Sequence, residues 1–303
     1  MEEVFFNTNE VANMLRVDKS TVKRWTDEGK LKCFRTPGGH RKFRADDVYN
    51  FMLQYNYNVS GLTLLPQLAS DETILKRIVQ KEDFHALISV CFSAAIRGNK
   101  EEVLALLLEI HRAGLAVSLI FDHLLRPTMK RIAVIFNANK ISFSEHRLAL
   151  NTLSAAAAQL GNNVARLPRN NKIIITVSLE QEESDLELTA LITLLEIEGF
   201  TVLNLGSGLT ADAVNQLVDK VKPFAVCIHT TFAYNEDRFV FEVESVLRAS
   251  KENMTQLVLS GNALQNRSIE ENFVGITLCK TFSDFSVALS PETVLTKTRE
   301  IED

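Results

Sequence analysis

The stretch "RTPGGHRKF", residues 35–43, places a proline, two glycines and three positive charges within nine residues. A glycine-rich loop that binds phosphate in an enzyme follows a hydrophobic strand and opens a helix. This stretch follows a helical pattern instead, and strand-like runs, "LKCFR" and "HRKFR", lie on either side of its turn. Pro37-Gly38-Gly39 is typical of the connection in a β-hairpin. The sequence therefore predicts a hairpin here rather than a catalytic phosphate loop.

Two short helices are predicted immediately before this hairpin. In "NTNEVANMLRV", Asn7 or Thr8 is a candidate N-cap. In "VDKSTVKRWTDEGKL", Asp18 is a candidate N-cap, and Gly29 suits the left-handed position that ends a helix. Trp25 is in helical register with an apolar neighbour, which favours a core position over a stacking platform. Helix, tight turn and helix together predict a helix-turn-helix.

Positive charge is concentrated in this region. From Lys19 to Arg44 there are nine lysines and arginines against two acids, a balance of +7 in a chain of net charge -5. Such a basic patch is typical of a module that binds a polyanion, although a solvated charged face has the same charge count. The second helix offers donors to the phosphates and base edges of a DNA major groove. These donors are Lys19, Ser20, Thr21, Lys23 and Arg24.

Composition argues against several other classes of protein. No apolar run reaches the roughly 18 residues of a membrane helix, and "MEEVFF" lacks the basic segment of a signal peptide. The four cysteines form no C-x-x-C pair of a zinc or redox site. We therefore expect a cytoplasmic protein without membrane association.

The chain divides into four segments by pattern. We predict a DNA-binding domain over residues 1–54 and a linker over 55–70, where Asn, Ser, Gly and Pro recur. Residues 71–165 hold four amphipathic helical stretches, which predict a four-helix bundle. Residues 170–303 alternate strands and helices, which predicts a parallel, doubly wound α/β domain of the flavodoxin-like type. The expected fold is thus a multi-domain combination of α and α/β domains.

The run "MLRVDKSTVKRWTDEGKLKCFRTPGGHRKFRADDV" resembles the winged helix-turn-helix of MerR-family transcription regulators, with its W-x-x-x-G-K-L and R-T-x-G-G-H-R-x-F motifs. The resemblance implies that the second helix enters the major groove. It also implies that Arg35 and Arg41 on the wing contact phosphates, with His40 beside them in the interface. Phe43 is then expected in the core of the wing.

The order of the domains resembles the CarA/CarH/LitR group of MerR regulators, whose bundle and α/β domain bind cobalamin. The bundle motif of that group is a tryptophan, nine residues and then Glu-His. Glu145 and His146 are present here, but Ile135 stands at the tryptophan position. Phe136 stands next to it, where some members place a histidine ligand. Glu145 and His146 either contact another ligand or form a structural capping and hydrogen-bonding pair, and we favour the structural interpretation.

The α/β domain of the same group carries the pattern (Asp/Glu)-x-His-x-x-Gly, whose histidine coordinates cobalt. Glu182, Ser184 and Glu187 stand at these positions here. Serine cannot replace the histidine ligand, and a carboxylate is costly to bury unpaired. His229 and Ser260 lie at the later positions of the tail-binding loops. The cofactor is therefore unknown from sequence, and these replacements disfavour cobalamin.

The leading hypothesis is a bacterial, sequence-specific transcription regulator, most simply a repressor, with a degenerate cobalamin-binding-like module for sensing or oligomerisation. A cobalamin-dependent light or vitamin sensor is the alternative within regulators. A corrinoid enzyme component is disfavoured, because Ser184 lacks a ligand nitrogen and an enzyme leaves the wing unexplained. Expected partners are double-stranded DNA, further copies of the chain and a protein partner such as an antirepressor. We predict no enzyme activity and no metal site.

Overall fold

A computed structural model of the protein describes residues 5–15, 17–44, 47–48, 51, 55, 79–80, 83–179, 186–231, 235–261 and 275–289. The chain forms two compact units, one from residues 1–116 with 123–156 and the other from residues 117–122 with 157–303. Over the described ranges, no helix has the length and apolar character needed to cross a membrane.

The described N-terminal residues include a small antiparallel sheet and the two helices that precede its hairpin. The elements of this region are β1 (Phe5–Asn7), α1 (Thr8–Met14), α2 (Lys19–Asp27), β2 (Phe34–Arg35) and β3 (Arg41–Arg44). The central strand β3 pairs with β2 on one side and with β1 on the other. The predicted hairpin and both predicted helices are confirmed. Strand β1 was not predicted, because three residues are too few for an alternating pattern to show.

The helix ends follow the capping expectations in part. The Asn7 side chain accepts hydrogen bonds from the first turn of α1, and Glu10 closes a capping box onto the Asn7 backbone. Gly29, at a φ of 70°, ends α2 as predicted. Asp18 is the N-cap residue of α2, as predicted, but its side chain makes no capping hydrogen bond. Its extended backbone still sets the start of the helix through its carbonyl, which accepts from Thr21.

The central region is helical, as predicted. Its helices are α3 (Phe84–Ile96), α4 (Lys100–Arg112), α5 (Val117–Ile120), α6 (Arg126–Asn137) and α7 (Phe143–Asn163). Helix α3 is buried along most of its length and contacts α4 and α6. A π-helical turn, Phe121–Leu125, joins α5 to α6. Pro127, which lacks a backbone donor, lies at the start of α6 directly after this turn and accounts for the interrupted α-helical pattern.

The C-terminal region is a five-stranded parallel sheet with helices. Its strands are β4 (Ile173–Ser178), β5 (Thr201–Ser207), β6 (Ala225–His229), β7 (Gln256–Ser260) and β8 (Thr277–Cys279). Its helices are α8 (Leu186–Ile197), α9 (Ala211–Val221), α10 (Glu236–Glu252) and α11 (Phe282–Ala288). The strand order β5-β4-β6-β7-β8 is the flavodoxin-like order, which confirms the predicted fold class.

The two faces of this sheet carry different side chains, because successive residues of a strand point to opposite faces. Ile175, Val177 and Ile228 belong to an apolar core that packs against α9 and α10. The alternate positions near the strand ends, including His229 and Ser260, therefore point to the other face. That second face is where buried polar side chains collect.

Candidate functional site

Helix α2 has one buried face and one basic face. Val22 and Trp25 are buried, and the Trp25 ring lies 4.8 Å from the ring of Phe51. Val22 and Trp25 are three residues apart and therefore lie on one side of the helix. The predicted donors lie on the rest of its surface. Lys19, Ser20, Lys23 and Arg24 are exposed, and Thr21 is half-buried. The apolar face thus anchors the helix and leaves its charged side chains available to a partner.

A cavity of about 480 Å³ lies beside this helix. Residues from the start of α1, from α2 and from the hairpin line it: Asn7, Thr8, Asn9, Lys19, Lys23, Thr36, His40, Arg41 and Lys42. None of these lining residues is acidic, so the cavity suits an anionic group such as a backbone phosphate.

The sequence pattern did not single out Asn7, Thr8, Asn9 or Lys42 as site residues. They reach the cavity because β1 pairs with β3, which sets Asn7 opposite Lys42. The short run "FFN" was the only signal available for that pairing.

Asp27, the last residue of α2, pairs with both wing arginines. Its Oδ1 atom lies 2.5 Å from Nη2 of Arg41 and 3.5 Å from Nη2 of Arg35. The side chain of Arg35 is 60% exposed, whereas that of Arg41 is 14% exposed. Arg35 thus remains open to a partner, while most of Arg41 is enclosed between the hairpin and the helix. Neither sequence pattern nor charge counting indicated a role for Asp27.

Helix α6 and the start of α7 carry the predicted ligand positions of the bundle. Ile135 is buried, and Phe136 stacks its ring on His146 with centroids 4.3 Å apart and planes inclined by 19°. His146 is itself buried. At these positions an aliphatic side chain is buried, and a half-buried phenylalanine ring lies against His146.

Glu145 is a capping residue in this structure. Its Oε2 atom accepts hydrogen bonds from the backbone N–H and the hydroxyl of Ser142, both at 2.7 Å. The Glu145 N–H in turn donates to the Ser142 hydroxyl oxygen, which completes a capping box at the start of α7. The backbone N–H of Ser142, and then its hydroxyl, hold the pKa of Glu145 below its usual value. This geometry supports the structural interpretation of Glu145.

Glu187, His229 and Ser260 form a buried cluster at the carboxyl end of the sheet. His229 ends β6, and its register partner Ser260 ends the adjacent β7. Nδ1 of His229 lies 3.1 Å from the Ser260 hydroxyl oxygen, and Nε2 lies 3.3 Å from Oε2 of Glu187 near the start of α8. Glu187 is 4% exposed, His229 3% and Ser260 2%. The carboxylate of Glu187 is thus buried beside a histidine nitrogen, where the sequence suggested an unpaired carboxylate.

The turn after β7 approaches the end of β6 closely, next in sequence to Ser260 and His229. Gly261 has a φ of 108°, and a Cβ atom on it would lie 2.0 Å from the carbonyl oxygen of Thr230. Only glycine permits this approach of the β6 and β7 ends. Glu182 and Ser184, the other two predicted positions of this motif, lie outside the described residues.

The described residues do not fit the cobalamin ligand set that the family resemblance implies. At the carboxyl end of the sheet, the ring nitrogens of His229 lie 3.1 Å from the Ser260 hydroxyl and 3.3 Å from the Glu187 carboxylate, and Phe136 covers one face of the His146 ring. Within the described ranges, no three His, Cys, Asp or Glu side chains are grouped to hold a metal ion.

Comparison with protein families matches two regions of the chain. A helix-turn-helix domain model matches residues 5–55, and a B12 binding domain model matches residues 88–160. The chain therefore carries a helix-turn-helix domain and a cobalamin-binding-like helical domain.

Two individual proteins show further similarity. The transcriptional repressor DcmR of Methylorubrum extorquens is 34% identical over 71 residues, which are 23% of this chain and 25% of that repressor. The match thus spans a quarter of the length of this curated relative. The monomethylamine corrinoid protein of Methanosarcina barkeri aligns with a TM-score of 0.50 at 20% identity, over 66% of this chain and 95% of that structure. This structural likeness shows the shared fold of the bundle and the α/β domain.

Proposed function

We propose that this protein is a sequence-specific DNA-binding transcription regulator of the MerR type that acts as a repressor. The observation that carries the proposal is the exposed basic face of α2 beside the hairpin, with an acid-free cavity between them. A helix of nine residues anchored by Val22 and Trp25 has the dimensions to lie in a major groove.

The two parts of this surface have different roles in the proposed complex. Side chains of α2 contact base edges and phosphates in the groove, which gives sequence preference. The hairpin, through Arg35 and Lys42, contacts the neighbouring backbone and fixes the orientation of the protein without reading sequence. Both contacts release counterions, so the affinity depends strongly on salt.

The proposed active form is a dimer or a higher oligomer. A single winged helix-turn-helix of this size buries too little surface for tight and selective binding to one site. Two copies on repeated half-sites reach the selectivity that repression requires. We propose that the bundle and the α/β unit provide this assembly and its control, through a signal or a protein partner. The name of the curated relative supports repression as the outcome.

The proposed control does not use cobalamin in the manner of the CarA/CarH/LitR group. The buried Glu187–His229–Ser260 cluster and the Phe136–His146 stack support this part of the proposal. In the cluster and in the stack, the side chains at the ligand positions contact other side chains of the protein.

A selection experiment tests DNA binding. The full chain is incubated with a pool of random duplexes, the bound fraction is amplified over several rounds, and the affinity for the recovered duplex is measured at several salt concentrations. We expect a recurrent motif and an affinity that falls steeply as salt rises. A pool that stays random, or an affinity insensitive to salt, contradicts the proposal.

A cobalamin-responsive regulator is the second candidate, and the B12 binding domain match over residues 88–160 favours it. A visible spectrum separates this candidate from the cobalamin-independent regulator. It is recorded after the purified chain has been incubated with adenosylcobalamin and the free cofactor has been removed. A colourless protein supports the cobalamin-independent regulator. A corrin spectrum supports the second candidate, and corrin binding without a recovered DNA motif points to a corrinoid enzyme component.

A further inference from the structure

The pairing of Asp27 with the wing arginines lies inside the most basic region of the chain. Between Lys19 and Arg44 the acids are Asp27 and Glu28, and they make different contacts. Glu28 pairs with Lys30 at 2.6 Å and with Arg24 at 3.9 Å, all within α2 and the turn after it. Asp27 pairs instead with Arg35 and Arg41, so it connects the helix to the hairpin.

The Arg41 pair is the stronger of the two connections. Exposed ion pairs stabilise little, because water screens them, and both partners of the Arg35 pair are more than half exposed. The side chain of Arg41 is largely enclosed, and its Nε atom is buried without a hydrogen-bond partner among the described residues. An enclosed guanidinium needs a counter-charge, and Asp27 is the acid that reaches it.

Arg41 also forms part of the wall of the basic cavity, together with Lys19 and Lys23 of α2. Fixing Arg41 to the end of α2 therefore fixes the width of this cavity and the position of the neighbouring Lys42. A phosphate contact made from two elements requires that spacing to be set before the DNA arrives.

We propose that Asp27 is a positioning residue for DNA recognition: it holds the hairpin against α2, so that the helix and the wing meet the DNA backbone at a fixed spacing. This inference rests on the proposed DNA-binding function. It predicts that an acid in a DNA-binding surface improves discrimination between sequences, although its charge repels phosphate.

The test compares two substitutions that each remove one acid from the end of α2. Asp27→Asn removes the negative charge that pairs with the hairpin arginines and leaves a weaker, neutral acceptor, and Glu28→Gln removes a neighbouring acid without touching the hairpin. Asp27→Glu keeps the carboxylate and serves as the rescue variant. For each full-length protein, the affinity is measured for the duplex selected by the wild-type chain and for a scrambled duplex. Amide hydrogen exchange in the free protein is followed at Thr36, whose N–H donates to the His40 carbonyl across the hairpin turn.

We expect Asp27→Asn to lower the ratio of selected to scrambled affinity by about fivefold or more, the scale of one lost specific contact. The Thr36 amide should exchange faster in this variant, because the hairpin opens more readily. Glu28→Gln should raise both affinities slightly and leave the ratio and the exchange rate unchanged. Asp27→Glu should recover most of the wild-type ratio.

Equal behaviour of Asp27→Asn and Glu28→Gln in both measurements overturns the inference and leaves Asp27 as a repelling charge. A wild-type chain that binds no duplex contradicts the proposed function instead. The exchange measurement then still decides whether Asp27 holds the hairpin.

Discussion

The basic surface of the helix-turn-helix and the carboxyl end of the parallel sheet hold the two clusters that sequence patterns marked as ligand sites. On the first surface the marked side chains are mostly exposed, and the charges largely share one sign. At the end of the sheet, Glu187, His229 and Ser260 are buried and contact each other. The difference teaches that polar residues at motif positions indicate a ligand site only when their side chains are free to contact a ligand. Their presence in the sequence is not enough.

The largest expected effect comes from breaking the buried cluster. His229→Ala leaves the Glu187 carboxylate buried without its histidine, which should lower the free energy of unfolding by about 3–5 kcal/mol. Urea denaturation of the full chain, followed by circular dichroism, measures this loss. The double variant Glu187→Met/His229→Leu should recover much of it, because apolar groups need no partner. A His229→Ala protein as stable as the wild type contradicts a structural role for the cluster.

Two glycines with positive φ sharpen the comparison between the regions. Gly261→Ala brings a Cβ atom against the Thr230 backbone and should cost at least about 2 kcal/mol of stability. Gly39→Ala, in the hairpin turn, meets no atom within 4 Å and should cost about 1 kcal/mol from its backbone conformation alone. Thermal unfolding of both variants gives the comparison. Equal losses of stability in the two variants would mean that the backbone at the end of the sheet can shift to accept a Cβ atom as readily as the exposed turn.

The exposed surface should show the opposite response, with binding affected and stability retained. Lys23→Ala should leave the free energy of unfolding within about 0.5 kcal/mol of the wild-type value. If Lys23 contacts a phosphate, its loss should weaken binding by about tenfold for all duplexes and reduce the salt dependence by about one counterion. Lys220→Ala, an exposed lysine on α9, is the matched control and should change neither quantity. An unchanged affinity in Lys23→Ala excludes this contact.

Sequence reasoning succeeded where local pattern determines structure. The caps at Asn7 and Gly29, the hairpin turn at Pro37-Gly38-Gly39 and the order of strands and helices follow from chemistry within a few residues of each other. The flavodoxin-like sheet also followed, because buried parallel strands form recognisable apolar runs.

Long-range pairings could not be predicted in the same way. The pairing of β1 with β3 brings Asn7 beside Lys42, and Asp27 reaches Arg41 from 14 residues away. The Glu187–His229–Ser260 cluster joins three segments separated by more than 30 residues each. Sequence identified the members of these groups in part, but tertiary packing decides whether they are open to a ligand or paired with each other.

The smallest expected effect concerns Glu145, the residue on which ligand and capping interpretations differ most directly. If Glu145 is a capping residue, the Glu145→Ala variant should have a free energy of unfolding about 0.5–1 kcal/mol below that of the wild type at neutral pH. Glu145→Gln should lose less, because glutamine can still accept from the Ser142 N–H. Thermal unfolding of the wild type and both variants measures these differences.

The pH dependence of this effect has a definite sign. Because the pKa of Glu145 is lowered from its usual 4.5 on folding, its carboxylate stabilises the folded chain above that value. The advantage of the wild type over Glu145→Ala should therefore persist from neutral pH down to about 4.5 and shrink as the pH falls through the lower folded pKa. A half-exposed carboxylate is screened by water, so added salt should reduce the difference further. If Glu145 served a ligand instead of the helix, the alanine variant would unfold like the wild type at every pH.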